Sequence, residues 1–454
     1  MPTSINPNVF KAYDVRGLYP EEITEALFRE LGRAFVAHLG PGRFAVTRDM
    51  RLSSPSLSAA FIDGVVAQGG HVIDYGLAGT DQMYFAVAAD ALDGGAQITA
   101  SHNAKQYNGC KLVKRDAFPL SGESGIKEMK DMILGGTLPP PEGAPGTIEP
   151  GEGMMGRYIG HVMSFIDESI IKPFTVVLDA GSGVAGLVAP LLFDQLPCKT
   201  TRLCFEVDGT FPNHEANPLI EENRRDITAQ VIKESADVGI AWDGDADRCF
   251  FLDGSGEFIA GDFITALLAE AFLLKHPGST IIYDVRASHA VRDIVAKQGG
   301  KALMNRVGHA FIKRRMREDD AIFGGEVTGH YYFRDNFYAD NGFIPALLIL
   351  ELMSKKGQSL RDLLKPLREK YFISGEINTK VSSLEVAAEK IERLAHEYQH
   401  GNVYRLDGIS AEFADWHFNV RPSNTEPLLR LNLEGVTPEI MERRRDEVLE
   451  IIRG

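Results

Sequence analysis

Hydrophobic positions along the chain alternate between two rhythms. Short apolar runs at residues 44–47 and 96–100 predict strands, while apolar residues spaced by three and four over 23–39 and 56–68 predict amphipathic helices. This alternation is the signature of parallel α/β units. It breaks at residues 135–153, GGTLPPPEGAPGTIEPGEG, too rich in Pro and Gly for a helix or a central strand, so a boundary is expected there. Beyond it, strand TVVLDA (175–180) leads into a helix, and strands at 238–242 and 249–252 flank a polar loop. A third set comprises a helix over 262–275, strand TIIYDV (280–285) and AIFGGE at 321–326. From about Tyr371 the pattern changes to one strand, a helix over 383–398, three short strands up to Leu433 and a helix over 438–453, a smaller α+β domain. The expected domains are 1–150, 151–256, 257–369 and 370–454, the first three similar enough in size to suggest a worn internal triplication.

A chain of 454 residues exceeds what one core organises, in keeping with several domains. The formal net charge of −15 argues against nucleic acid or an anionic membrane as partner, since both require a positive face. The dense basic run at 313–317 reads as a solvated helix face without function. Four cysteines, Cys110, Cys198, Cys204 and Cys249, form no C-x-x-C pair and read as reduced thiols. With no secretion signal at the start and no run of 18 apolar residues, a cytoplasmic protein is expected.

Chemistry concentrates in a few loops. DGDADR places Asp243, Asp245 and Asp247 at alternate positions after an apolar strand, where they converge on a hard divalent cation or else form a polar turn whose acids repel one another. In QITASHNAKQYNGCKL, Ser101 follows a strand as a nucleophile or a helix cap, Asn108-Gly109 reads as a turn, and Lys111 is placed to neutralise a phosphate. RPSNTEP holds Arg421, Ser423, Asn424 and Thr425, with Arg430 nearby, as either a phosphate grip or a plain turn. GGEVTGH sets Glu326, Thr328 and His330 at alternate positions, suited to sugar hydroxyls and proton transfer, or to a solvated bend. GSGVAG (181–186), with Glu206 further on, matches a dinucleotide fingerprint, but no hydride-transfer residues accompany it.

In this order, FKAYDVRG (10–17), TASHN, DGDADR, GHAFIK (308–313), GGEVTGH and RPSNTEP resemble the α-D-phosphohexomutase superfamily, in its bacterial phosphomannomutase/phosphoglucomutase branch, over essentially the whole chain. The resemblance implies three similar mixed α/β domains plus a C-terminal α+β domain around a central cleft that is basic although the protein is acidic. It implies a phosphoserine at Ser101, and Mg2+ held by Asp243, Asp245, Asp247 and a phosphoserine oxygen. Tyr13 and Arg16 then enter the cleft, Arg16 counting with Ser101, Lys111 and His330 as catalytic. Lys111 and Arg248 lie near the moving phosphoryl group, Arg286 and His309 face the sugar, and Glu326 and Thr328 contact its hydroxyls. RPSNTEP and Arg430 clamp the phosphate that does not react, and GSGVAG becomes a structural turn. The reaction implied is interconversion of hexose 1- and 6-phosphates, mannose above glucose, through a 1,6-bisphosphate that also serves as activator. The partner is thus a small sugar phosphate, and the family is compatible with a monomer. His330 or Lys111 carries the hydroxyl proton.

Two departures from the family pattern bear on specificity: Ala104 stands where many members have Pro, and Val327-Thr328 replaces Met-Ser. The rival reaction is that of a magnesium-dependent phosphatase of the haloacid dehalogenase type, with Asp243 as nucleophile and Asp245 as acid. A non-catalytic sugar-phosphate sensor would need a missing catalytic residue, and none is missing.

Overall fold

Residues Arg43–Arg48 are buried along most of their length, as a central strand covered on both faces must be. In the computed structural model, which describes residues 5–141, 143–423 and 427–454, this strand lies parallel between His71–Leu77 and Gly94–Ile98. Tyr107–Lys114 runs antiparallel beside Gly94–Ile98, and Val15–Leu18 runs antiparallel beside Tyr107–Lys114. Helices Glu25–Leu39 and Ser54–Ala67 supply much of the core through Phe28, Leu31, Phe35, Phe61 and Val65. The Pro/Gly-rich segment expected as a boundary contains a strand, Ile148–Pro150, that pairs with His71–Leu77 and covers the edge of this sheet.

The described residues form two compact units, one comprising residues up to Phe258 together with His330–Gly357, the other Ile259–Gly329 with Gln358–Gly454. The first unit contains, besides the sheet above, Thr175–Asp179 in parallel between Lys199–Leu203 and Val238–Trp242, with Cys249–Asp253 antiparallel at the edge. The carboxyl ends of its parallel strands face one way, so the loops after Asp179, Leu203 and Trp242 share one rim, where α/β sheets bind their ligands. The hairpin Tyr331–Phe333/Ala339–Asp340 and helix Ile344–Lys356 complete the unit, and the indole N–H of Trp242 donates to the Gly342 carbonyl at 2.7 Å.

In the second unit, Thr280–Asp284 lies parallel between Lys301–Asn305 and Phe323–Gly325. Helix His309–Glu318 contains the basic run, and here the sequence expectation of a solvated face fails for Lys313, which is fully buried beside Ile312 and Met316. The C-terminal sheet is antiparallel in the order Phe372–Ile373, Leu428–Gly435, Trp416–Pro422, Ile409–Glu412, Asn402–Tyr404, with Ile377–Lys380 also on Leu428–Gly435. One strand before helix Leu384–Glu397 and three after it were expected; the described residues have two and four, the extra ones too short to show a period. Ser383 and Thr437 cap helices Leu384–Glu397 and Pro438–Arg453, whose Leu394, Val448 and Ile452 pack on the sheet. Among the described residues no helix is long and apolar enough to cross a membrane.

One acid in this unit makes stability depend on pH. Glu434 is 5% exposed, with His417 Nε2 at 3.3 Å and the His289 ring stacked on that of His417 at 3.7 Å. Burial, with the Asp262 carboxylate adding to it, pushes the Glu434 carboxyl from 4.5 up to about 7, against the Ser288 hydroxyl, the His289 N–H and Arg292. A raised folded-state value means that folding favours the protonated acid. Its contribution is therefore full below about pH 4.5 and is lost as pH rises through about 7. Glu434→Gln is expected to gain on the order of 2 kcal/mol over wild type at pH 8 and almost nothing at pH 4.5. Urea unfolding of both proteins at the two pH values checks this; a constant difference contradicts it.

Candidate active site

Ser101 sits just beyond strand Gly94–Ile98 with φ at 52°, a left-handed conformation that costs a non-glycine residue about 1–3 kcal/mol. The chain does not start a helix here, so the cap reading of Ser101 falls. It turns through 101–106 and enters strand Tyr107–Lys114. Asn108-Gly109, expected as a turn, lies within that strand, where a Cβ on Gly109 would come within 2.1 Å of the Val15 carbonyl oxygen. Ser101 is buried, its N–H donates to Thr99 Oγ1 at 2.8 Å, and its hydroxyl donates to Asp243 Oδ2 at 3.0 Å with His102 Nδ1 at 3.2 Å.

The strained turn is held by a residue that sequence reasoning missed. Arg51, 1% exposed, donates through Nη2 to the carbonyls of Ser101 (2.8 Å) and Asn103 (2.6 Å), and through Nη1 to those of Ala104 (2.8 Å) and Tyr107 (3.1 Å). Its Nε donates to Asp49 at 3.1 Å, and Asp49 also accepts from Thr99 Oγ1 at 2.7 Å. A guanidinium fork reaches four carbonyls where an ammonium does not. Arg51→Lys is expected to lower kcat about 10²-fold through misplacement of Ser101, with KM changed only a few-fold. Steady-state kinetics separates the two parameters. The signal for Arg51 was present in the charged RDMR that directly follows a buried strand. Arg16, on strand Val15–Leu18, reaches the same turn by donating to Asn103 Oδ1 at 2.8 Å, and half-buried Tyr13 lies in the bend before it.

The loop between Val238–Trp242 and Cys249–Asp253 carries Asp243, Asp245 and Asp247, all at most 1% exposed, with ligand oxygens within 4.8 Å of one another. Burial and the neighbouring carboxylates of Asp247 and Asp245 push the Asp243 carboxyl well above the usual range. Lys111 Nζ bonds to Asp245 Oδ2 at 2.7 Å and to Asp247, and these carboxylates outweigh burial to keep the ammonium charged. The Oδ1 atoms of Asp245 and Asp247 have no hydrogen-bond partner among the described residues. Buried carboxylate oxygens that crowd together without hydrogen-bond donors in place fit a hard oxygen-seeking cation such as Mg2+. Arg248 Nε lies 3.3 Å from Asp243 and 3.3 Å from His330 Nε2, and its Nη2 donates to His102 Nδ1 at 2.7 Å. Burial together with Arg248 and Arg16 holds the His102 imidazole neutral, which makes it an acceptor. His330 Nε2 is also 3.6 Å from Asp247. Ser101, Lys111, the three aspartates, Arg248 and His330 thus meet at one place in the first unit.

GSGVAG contributes by packing. A Cβ on Gly183 would come within 2.7 Å of the Gly244 carbonyl oxygen, so this turn lies against the aspartate loop with no room for a pyrophosphate. The fingerprint is the structural turn that the resemblance implied.

The second unit gathers a different set. Arg286, directly after Thr280–Asp284, pairs with Asp284 at 2.9 Å, with Glu326 at 3.5 Å and with Glu376 at 3.3 Å. Glu376 also pairs with Arg421 at 3.2 Å, and Arg430 faces Arg421 across the paired strands. These arginines hold the Glu376 carboxyl below its usual range in spite of burial. Glu376 was not singled out from the sequence, since an isolated acid in an irregular stretch carries no periodic signal. His309 opens helix His309–Glu318, Thr328 follows strand Phe323–Gly325, and buried Ser423 donates its N–H to the Leu428 carbonyl at 2.8 Å. Asn424 and Thr425 lie outside the described residues.

Family models match along the chain: phosphoglucomutase/phosphomannomutase alpha/beta/alpha domain I over residues 7–135, domain II over 156–256, domain III over 260–371 and the C-terminal domain over 376–451. A protein of Xanthomonas campestris pv. campestris strain B100 described as "Phosphohexose mutases" is 44% identical over 448 residues, covering 98% of this chain and 99% of that one. A phosphomannomutase of Escherichia coli strain K12 is 41% identical over 455 residues, covering 98% of each. The crystal structure of a phosphoglucomutase/phosphomannomutase family protein from Burkholderia thailandensis superposes with a TM-score of 0.89 at 31% identity, over 99% of this chain and 98% of that one. The phosphatase and dehydrogenase readings find no support among these relatives. With matches to all four domains and relatives above 40% identity along its length, the chain belongs to the phosphoglucomutase/phosphomannomutase family of hexose phosphate mutases.

Proposed function

We propose that this protein interconverts mannose 1-phosphate and mannose 6-phosphate, and glucose phosphates more slowly, through a phosphoserine at Ser101 and a hexose 1,6-bisphosphate. The carrying observation is the buried Ser101 hydroxyl, 3.0 Å from Asp243 in a strained turn, among the residues that would hold a metal and neutralise a phosphoryl group. Asp243, Asp245, Asp247 and a phosphoserine oxygen would hold Mg2+, whose charge offsets that on the phosphoryl oxygens. In the first half-reaction the Ser101 Oγ–P bond breaks, a P–O bond forms to the free sugar hydroxyl, the hydroxyl proton leaves to a base, and the released Ser101 oxygen takes up a proton to become the hydroxyl again. The carboxylates around Lys111 keep it charged, which favours His330 as proton carrier and Lys111 as electrostatic partner. Arg248, reaching from Asp243 to His102, stabilises charge on the transferring group. After the bisphosphate turns round, the other phosphoryl group returns to Ser101 by the reverse step.

Arg286, Glu326, Thr328 and His309 are assigned to the sugar, and Arg421, Ser423, Asn424, Thr425 and Arg430 to the phosphate that does not react. The cluster of Arg286, Arg421 and Arg430 around Glu376 supports a site for an anion in an acidic protein. The phosphomannomutases among the relatives support mannose as preferred sugar. The free thiols support a reducing cytoplasm, and a monomer suffices for the chemistry.

The test is conversion of mannose 1-phosphate and glucose 1-phosphate to their 6-phosphates with magnesium and a trace of 1,6-bisphosphate. Faster turnover of mannose 1-phosphate, its loss with EDTA and its recovery with Mg2+ are expected. Release of inorganic phosphate in place of the 6-phosphate overturns the proposal.

A further inference from the structure

Asp179, Cys204 and His214 come from three separate segments of the first unit: the end of strand Thr175–Asp179, the residue after Lys199–Leu203, and the loop beyond. None belongs to the site above. His214 Nε2 lies 3.1 Å from Asp179 Oδ2 and 3.7 Å from Cys204 Sγ, and the three ligand atoms lie within 4.8 Å of one another. With bonds of about 2.0–2.3 Å from nitrogen, oxygen and sulfur, a tetrahedral zinc ion holds its ligand atoms roughly 3.3–3.6 Å apart. The spacings from His214 to Asp179 and to Cys204 already approach that.

Each donor is oriented from behind, as metal ligands are. His214 Nδ1 lies 3.0 Å from the Glu215 carbonyl oxygen and donates to it, which fixes the ring with Nε2 toward Asp179 and Cys204; the proton that Nε2 shares with Asp179 is the one a cation would displace. The Gly181 N–H donates to Asp179 Oδ1 at 2.9 Å and leaves Oδ2 directed inward. The Asn213 amide lies 3.3 Å from Cys204 Sγ. An ion pair between Asp179 and His214 accounts for the first distance, and Cys204 Sγ completes a triangle with them at 3.7 Å from Nε2. Asp179 is 2% exposed, the His214 side chain 11%, and Cys204 is half-buried.

We propose that Asp179, Cys204 and His214 form a binding site for a thiophilic divalent cation of the zinc class, separate from the aspartate loop. The two sites divide metals by softness: carboxylates alone suit magnesium, whereas thiolate with imidazole selects zinc or cobalt over it. The bound ion ties together the ends of two neighbouring strands and the loop that follows them. Binding releases the thiol proton and any proton on His214 Nε2.

The test uses the full chain, stripped with chelator and kept in excess magnesium to fill the hard site, then titrated with Co2+. A thiolate-to-cobalt charge-transfer band in the near ultraviolet is expected to grow and saturate at equimolar metal. Cys204→Ser is expected to lose it and Cys198→Ser to keep it. Zn2+ by titration calorimetry is expected to bind Cys204→Ser at least roughly 10-fold more weakly than wild type. Absence of the band in wild type overturns the proposal whether or not the variant folds, and so does an unchanged band in Cys204→Ser.

Discussion

Ser101→Ala is expected to lower kcat for hexose phosphate interconversion by about 10³-fold or more, the largest effect of any single substitution. In the proposed mechanism this leaves no oxygen to carry the phosphoryl group between half-reactions, and no neighbour substitutes. Thr99 is committed through Oγ1 to the Ser101 N–H and to Asp49. The fold is expected to survive, because alanine keeps the backbone N–H that Thr99 accepts and the carbonyl that Arg51 grips. Steady-state kinetics with a coupled assay for mannose 6-phosphate, beside a circular dichroism melt, separates loss of chemistry from loss of structure. A variant that folds and turns over within tenfold of wild type contradicts the account.

Lys111→Met should be costly in both respects. Lys111 Nζ is the ammonium that bonds to the buried Asp245 and Asp247, and methionine matches its length without its charge. Breaking a buried ion pair from one side leaves uncompensated charge and costs about 3–5 kcal/mol. The remaining carboxylates must then take up protons or a metal. Millimolar magnesium is accordingly expected to restore part of the lost stability, while kcat stays low because, in the proposed mechanism, no side-chain cation then faces the phosphoryl group. Urea unfolding with and without magnesium gives both quantities. A loss below about 1 kcal/mol, or none recovered with magnesium, means that Lys111 does not compensate the aspartates.

Much of the site was legible because its parts interrupt strong patterns. Val238–Trp242 is wholly buried, and three acids straight after such a strand cannot be ordinary surface turn residues. The TASHN turn was harder. Ser followed by polar residues looks like a helix start, and only tertiary contacts, chiefly Arg51 and Asp49, make it a strained turn. Arg51 escaped attention because its significance lies in four backbone carbonyls, which leave no mark on side-chain periodicity. Lys313 was misread because charge was taken as exposure, although its helix turns that position inward between Ile312 and Met316. In the C-terminal sheet, strands of two or three residues such as Phe372–Ile373 and Asn402–Tyr404 fall below the length at which alternation can be seen.

The most direct test of the central claim is to expose the protein to hexose 1,6-bisphosphate labelled in the phosphoryl groups, quench it in acid, and locate the label by peptide mass mapping. The account predicts a single acid-stable phosphate on the peptide containing Ser101, chased off by unlabelled hexose monophosphate and absent from Ser101→Ala. An acid-stable phosphate on any other residue, or an acid-labile acyl phosphate on Asp243 that survives in Ser101→Ala, would contradict it.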